Sequence, residues 1–144
     1  MTVSQISPKE AYQLLINDKN SVLIDVRTFE EIHFVGFVDP EAFDSRMVLL
    51  PWQIFPDMQI NPEFAEGLDE GMQNFFGDVA AKEVKIIFIC RTGGRSNAAA
   101  NHAINLGYKN CFNLSSGFEG DLNKDSHRGK INGWKSDLLP WRQK

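Results

Sequence analysis

Cysteine is scarce in this chain: Cys90 and Cys111 are the two thiols among 144 residues. They lack the dense, even spacing of a secreted disulfide framework, and no Cys-x-x-Cys or His-rich pattern accompanies them. A stapled scaffold and a metal-ligand cluster are therefore excluded as organising features, and both thiols are expected to stay reduced. Long apolar runs are missing as well. No window approaches a membrane-spanning length, and the segment "MTVSQISPKEAYQLL" has no basic start leading into an apolar core. Neither a membrane anchor nor a signal peptide is expected, and a cytoplasmic location follows. Nor is there an excess of positive charge. Fifteen Lys and Arg stand against nineteen Asp and Glu, for a net charge of −4. With no basic tract or basic–aromatic stripe, a nucleic-acid surface is not expected, and any cationic site must be local.

What is present fits one globular domain over residues 1–144, with a hydrophobic share of 42% and a charged share of 24%. "SPKEAYQLLI" predicts a helix, with Ser7 and Glu10 forming a capping box, Pro8 at the first position and Ala11, Leu14 and Leu15 as its stripe. "SVLIDV" is apolar from Val22 to Val26 except for Asp25, as in a strand buried on both faces. "MVLL" predicts a shorter strand ended by Pro51. "NPEFAEGLDEGMQNFFG" predicts a helix carrying Phe64, Leu68, Met72 and Phe75, interrupted by Gly67 and Gly71. "VKIIFIC" is the clearest strand. "SNAAANHAINLG" follows as a helix with Ser96 as its candidate cap and Gly107 as its stop, and "KNCFNL" is a further strand.

Strands alternating with helices predict an α/β domain. Its central, mostly parallel sheet should be covered by helices on both faces through right-handed crossovers, with sites beyond the carboxyl ends of the strands. Cys90 stands at such an end. After Leu114 the composition shifts to Gly, Asn and charge, yet Phe118, Trp134, Leu138, Leu139 and Trp141 remain. Residues 115–144 are therefore expected to pack back on the domain as an extension.

The stretch "FICRTGGRSN" carries the chemistry. A free thiol, with pKa near ~8.5, is only a few per cent thiolate at neutral pH, and the thiolate is the nucleophile. Gly93 and Gly94 let backbone N–H groups turn inward as an anion-binding nest. The following helix aims its positive end at the loop, and Arg91 and Arg95 add two charges. This combination favours the thiolate and attracts a small anion. The competing reading, Cys90 as a small buried hydrophobe closing a strand, is outweighed by the paired glycines and flanking arginines.

"CRTGGRS" resembles the active-site loop of the rhodanese homology domain. "LIDVR", Leu23 to Arg27, matches that family's Asp-Val-Arg strand, and the likeness runs from the first helix to "NLSSGF". "GFEGDLNKDSHRG" and "GWKSDLLPW" resemble the C-terminal extension of a bacterial group of single-domain members. The resemblance implies a three-layer rhodanese-like fold and a sulfurtransferase without metal or organic cofactor. In it Cys90 takes a sulfane sulfur from a donor such as thiosulfate, holds it as a persulfide and passes it to cyanide or a thiol. The matching positions make Cys90 the nucleophile. Arg91, Thr92, Gly93, Gly94, Arg95 and Ser96 form the cradle of N–H groups, and Arg91 and Arg95 steer the anionic donor. Ser96 is left between capping alone and an added bond to the sulfur. Asp25, nearly buried, needs an arginine partner and with Arg27 is expected to support the loop. Phe118 is placed at the pocket rim. A protein sulfur partner remains open, with the extension as its docking surface.

Two alternatives stand beside this reading. Related phosphatases, and the arsenate reductases like them, separate cysteine and arginine by five residues. Cys90 and Arg95 are separated by four, a ring better sized for one sulfur atom. A non-catalytic binding module would more often have lost the thiol. The sequence also departs from the family after Arg27, where "EEIHFVGFVDPEAF" lacks the usual Gly-His pair. His33 is therefore given no function, His102 is expected to pack, and His127 and Arg128 to lie in a solvated turn. Trp52 and Phe55, in a long loop, either pack on the core, the usual fate of large apolar loop residues, or wall the pocket, and Cys111 is assigned to an inert core position rather than a resolving thiol.

Overall fold

The computed structural model describes residues 2–80 and 83–143. Its elements are β1 (Ser4–Ile6), α1 (Pro8–Asn17), β2 (Ser21–Asp25), α2 (Phe29–Val35), β3 (Phe37–Val38), a 3-10 turn (Glu41–Phe43), β4 (Met47–Leu49), β5 (Gln53–Ile54), β6 (Gln59–Ile60), α3 (Phe64–Ala80), β7 (Lys85–Ile89), α4 (Gly94–Asn105), β8 (Asn110–Leu114) and β9 (Trp141–Arg142). Five strands form one sheet in the order β1-β8-β7-β2-β4, with every neighbouring pair parallel.

The two central strands explain their own composition. Successive side chains of a strand point to opposite faces. Accordingly Val22, Ile24 and Val26 of the β2 segment join Ile86, Phe88 and Cys90 of the β7 segment against α3 and α4. Leu23, Ile87 and Ile89 enter a second core with Ala11 and Leu15 of α1 and with Phe118 and Trp134 of the C-terminal extension. The sheet is thus covered on both faces, as the sequence predicts. Each fully buried Leu, Ile or Val contributes about 1.5–3 kcal/mol to holding these layers together.

Three local features differ from the sequence reading. The helix expected around Gly67 and Gly71 runs through both, and the non-helical break falls at Gly77. A Cβ at Gly67 would lie 2.7 Å from Leu50 Cδ1, so this glycine admits close helix–strand packing rather than a break. The segment after Arg27 forms α2, capped by Thr28 and Glu31 in a reciprocal box. Ser96 is not the cap of α4: Gly93, at φ 109°, is the N-cap and has no side-chain bond. The left-handed backbone at Gly93 starts the helix early and leaves Ser96 inside its first turn.

The extension is anchored at several depths. Trp134 and Phe118 are fully buried, Trp134 Nε1 donates to Pro140 O at 2.8 Å, and β9 pairs antiparallel with β3. Lys135 Nζ donates to Val35 O at 3.0 Å and lies 4.0 Å from the Trp141 ring centre. No helix among the described residues is long and apolar enough to cross a membrane.

Candidate active site

Strands β2 and β7 are adjacent, with Asp25 opposite Ile89, so the chain segments leaving them emerge side by side at the carboxyl edge of the sheet. Cys90 begins the loop after β7. Its residue is only 1% exposed, at the base of the turn that closes into α4. The amide of Gly93 points inward and donates to Cys90 Sγ at 3.1 Å. The Ser96 hydroxyl lies 3.2 Å from the same sulfur. The sulfur thus meets one backbone amide and one hydroxyl at the N-terminal end of α4, where the helix dipole is positive.

The turn that achieves this is braced from behind. A Cβ on Gly93 would sit 2.3 Å from Ser115 O, so the loop packs directly on the backbone that follows β8. Gly117, at φ 72°, approaches as closely, and a Cβ there would meet Arg91 O at 2.4 Å. Phe118 N donates to Cys90 O at 2.8 Å, and Glu119 N donates to Arg91 O at 3.0 Å. The extension therefore supplies the rear wall of the cysteine loop.

Beneath the loop runs a buried polar relay that sequence reasoning missed. Ser96 Oγ is 2.5 Å from Asn113 Oδ1. The Asn113 amide donates to Gly93 O at 3.1 Å and to Gln5 Oε1 at 2.8 Å, which orients its oxygen toward Ser96. Asn113 ties β8 to the first turn of α4. Its signal in the sequence is an amide placed between Phe112 and Leu114 inside the strand "NCFNL".

The arginines divide into three kinds. Arg95 grips Glu31 through two bonds of 2.6 and 2.8 Å. Burial pushes the Glu31 carboxyl up, but the Arg95 guanidinium and the Thr28 cap outweigh it and hold the group at about 2. Hydrogen bonding to Glu31 likewise raises Arg95. Arg95 thus spends its charge joining the loop to α2, and Glu31 was legible only as the last residue of the Thr28-x-x-Glu31 box. Arg91 is exposed and belongs to no ion pair among the described residues. Arg27 is fully buried. Its Nη2 binds Asp25 Oδ2 and Gly36 O, each at 2.8 Å, its Nε reaches Asp25 Oδ1 at 3.0 Å, and its guanidinium stacks 4.4 Å from the Phe118 ring centre. Phe118, placed at a pocket rim from sequence, is instead a fully buried platform for this arginine, because the chain dives under the sheet edge after Gly117.

Thr92 is half-buried and Gly94 exposed in the same turn. Of the other residues weighed from sequence, Phe55 alone lines the groove beside the loop arginines. His33 and His127 are exposed, and His102 packs against Trp52 and Phe64. Trp52 lies in the core, the favoured of its two readings, whereas Phe55 takes the other and stands 57% exposed at the groove wall. Burial pushes the Cys111 thiol up to about 12. Cys111 pairs in register with Ile86, four residues before Cys90. At about 3.3 Å per residue that is roughly 13 Å, beyond the roughly 7 Å Cα limit of a disulfide.

In front of the loop lies an open groove of about 630 Å³, whose lining includes Arg91, Arg95, Phe34, Phe55 and Met58. The fold and the site together define an α/β domain that presents one cysteine, with a backbone amide aimed at its sulfur, at the carboxyl edge of a parallel sheet. The chain belongs to the rhodanese-like domain family, which matches residues 7–124. An uncharacterized protein of Rickettsia prowazekii is 40% identical over 143 residues, 99% of each chain. The crystal structure of Rv0390 from M. tuberculosis is similar over 100% of both chains, with 32% identity and a TM-score of 0.85. The polysulfide-sulfur transferase homodimer from Wolinella succinogenes shares the fold at 21% identity and a TM-score of 0.65, over 99% of this chain and 80% of that one.

Proposed function

We propose that this protein is a sulfurtransferase in which Cys90 carries a sulfane sulfur as a persulfide, and that thiosulfate is a donor it accepts. The observation that carries the reading is the inward amide of Gly93 on Cys90 Sγ at 3.1 Å, within a loop of four residues between Cys90 and Arg95. That turn is small enough to enclose one added sulfur atom. Membership of the family and the likeness to a polysulfide-sulfur transferase support the same chemistry.

The Cys90 thiolate attacks the outer sulfur of thiosulfate. The sulfur–sulfur bond of the donor breaks, its electron pair leaves with sulfite, and the new bond makes Cys90 a persulfide. Cyanide or a thiolate then attacks the outer sulfur and returns the electron pair to Cys90. Because Cys90 is nearly covered, the donor presents its terminal sulfur to the loop while its oxygens stay in the groove beside Arg91. Arg95, held by Glu31, shapes the turn, and Ser96 lies against the sulfur. Asp25 and Arg27 hold the neighbouring strand end as a closed ion pair. The N–H groups of residues 91–96 stabilise the terminal charge of the persulfide.

Intact-mass measurement after exposure to thiosulfate tests the reading. A gain of one sulfur on the wild type, absent in Cys90→Ser and reversed by cyanide, is expected. Turnover of an aryl phosphate without sulfur uptake would replace this reading with a phosphatase, and neither activity would leave a binding module.

A further inference from the structure

The groove beside Arg91 does not end at the loop. It shares Thr28, Glu30, Gln53 and Phe55 with a second cavity of about 490 Å³ that extends to α3. The floor and walls of this continuous cleft are apolar and open: Phe34 is 75% exposed, Phe55 57%, Ile54 45% and Leu49 39%. Its far rim is uniformly acidic, formed by Glu63, Glu66 and Glu70 with Glu30 between the two cavities. None of these four carboxylates is in an ion pair among the described residues. Glu66 and Glu70 are four residues apart on α3, a like-charge spacing that destabilises an isolated helix and that a bound cation would relieve.

We propose that this cleft docks a thiol-bearing segment of an acceptor protein, in which apolar residues are flanked by Lys or Arg. The inference rests on the persulfide reading of Cys90. Exposed aromatic and aliphatic side chains provide the apolar contact, the acidic rim selects the sign of the flanking charge, and Arg91 receives the acceptor thiolate at the loop end. A second copy of this chain fits less well, because its own net charge is −4. At the loop the acceptor thiolate attacks the outer sulfur of the Cys90 persulfide. The bond to Cys90 breaks, Cys90 recovers the electron pair as thiolate, and the acceptor leaves as the persulfide. No oxidant or reductant enters.

Two short peptides with the same apolar residues and one cysteine, one flanked by lysines and the other by glutamates, test this on the full-length protein. Binding is read by fluorescence anisotropy with the peptide cysteine replaced by serine, and sulfur transfer by mass with the cysteine forms. The lysine peptide is expected to bind about tenfold more tightly and to accept sulfur faster than glutathione. Glu66→Lys with Glu70→Lys leaves Glu30 and Glu63 opposite two lysines, so the rim becomes neutral and the preference should be abolished while thiosulfate-to-cyanide turnover stays unchanged. Should that variant misfold, Glu66→Gln with Glu70→Gln, which keeps Glu30 and Glu63, should weaken the preference without abolishing it. Equal binding of the two peptides, or a solution dimer that buries Ile54 and Phe55, overturns the proposal. Failure of the wild type to load sulfur at all would count against the transferase reading itself, while the sulfur-free binding measurement still decides the cleft.

Discussion

Ser96 Oγ stands 2.5 Å from Asn113 Oδ1 and 3.2 Å from Cys90 Sγ, and a hydroxyl has one proton to give. The Asn113 oxygen, fixed by the bonds its amide makes to Gly93 and Gln5, competes with the sulfur for that proton. Replacing Asn113 with Leu frees the hydroxyl for the sulfur but strands Gly93 O without its side-chain partner. A loss of about 1–3 kcal/mol in stability is expected, measured as a lower urea midpoint. Ser96→Ala should retain sulfur loading at a reduced rate, so a rapid-quench mass assay separates the relay's contribution to structure from its contribution to the sulfur.

Gly117 lies outside the cysteine loop in sequence but behind it in space. Gly117→Ala puts a Cβ 2.4 Å from Arg91 O at a positive φ. A cost of about 1–3 kcal/mol and a displaced loop are expected. The check is thiosulfate turnover in a variant whose circular dichroism remains native: activity should fall at least as steeply as stability.

Asp25 and Arg27 form an ion pair with neither side chain exposed. Breaking one half leaves the other buried and unpaired, so Asp25→Asn or Arg27→Met alone should lose about 3–5 kcal/mol. Replacing both with apolar residues of similar volume should cost less than the sum of the single changes. A double-mutant cycle on denaturant midpoints measures the coupling.

The Glu31 carboxyl, held at about 2 against an ordinary 4.5, makes the Arg95 clamp sensitive to acid in one direction. The folded pKa is depressed, so the unfolded chain binds more protons between these two values. The stability from this pair is fully present above about pH 4.5 and is lost as pH falls toward about 2, by at most on the order of 2–3 kcal/mol. In Glu31→Gln, unfolding midpoints between pH 5 and 2.5 should fall less steeply than in the wild type.

Much of this architecture was legible in the linear pattern, and the exceptions share a cause. Val22–Val26 read as a doubly buried strand, and Val84–Cys90 as the clearest strand, because covering both faces of a parallel sheet removes the polar alternation. The cysteine loop stood out because nucleophile, turn glycines and helix start are contiguous. Helix α2 went unread although Thr28 and Glu31 carry a capping box. Its seven residues bury only Ile32, too little for a helical stripe to show. Phe118 was misplaced because burial after a sharp turn depends on where the chain is sent, not on the residue type.

The sequence by itself determined the parallel α/β layering, the cysteine at a strand end and the turn that aims an amide at its sulfur. These follow from side-chain periodicity and from the φ angles open to glycine, both local properties. Only the tertiary structure decided that Arg95 is neutralised by Glu31 while Arg91 stays free. The same holds for Asn113 beneath the loop, for the extension as the loop's rear wall, and for Phe55 beside α3's carboxylates in one cleft. Those relationships join residues far apart in the chain, and they arise from which segments the sheet order brings to the same edge.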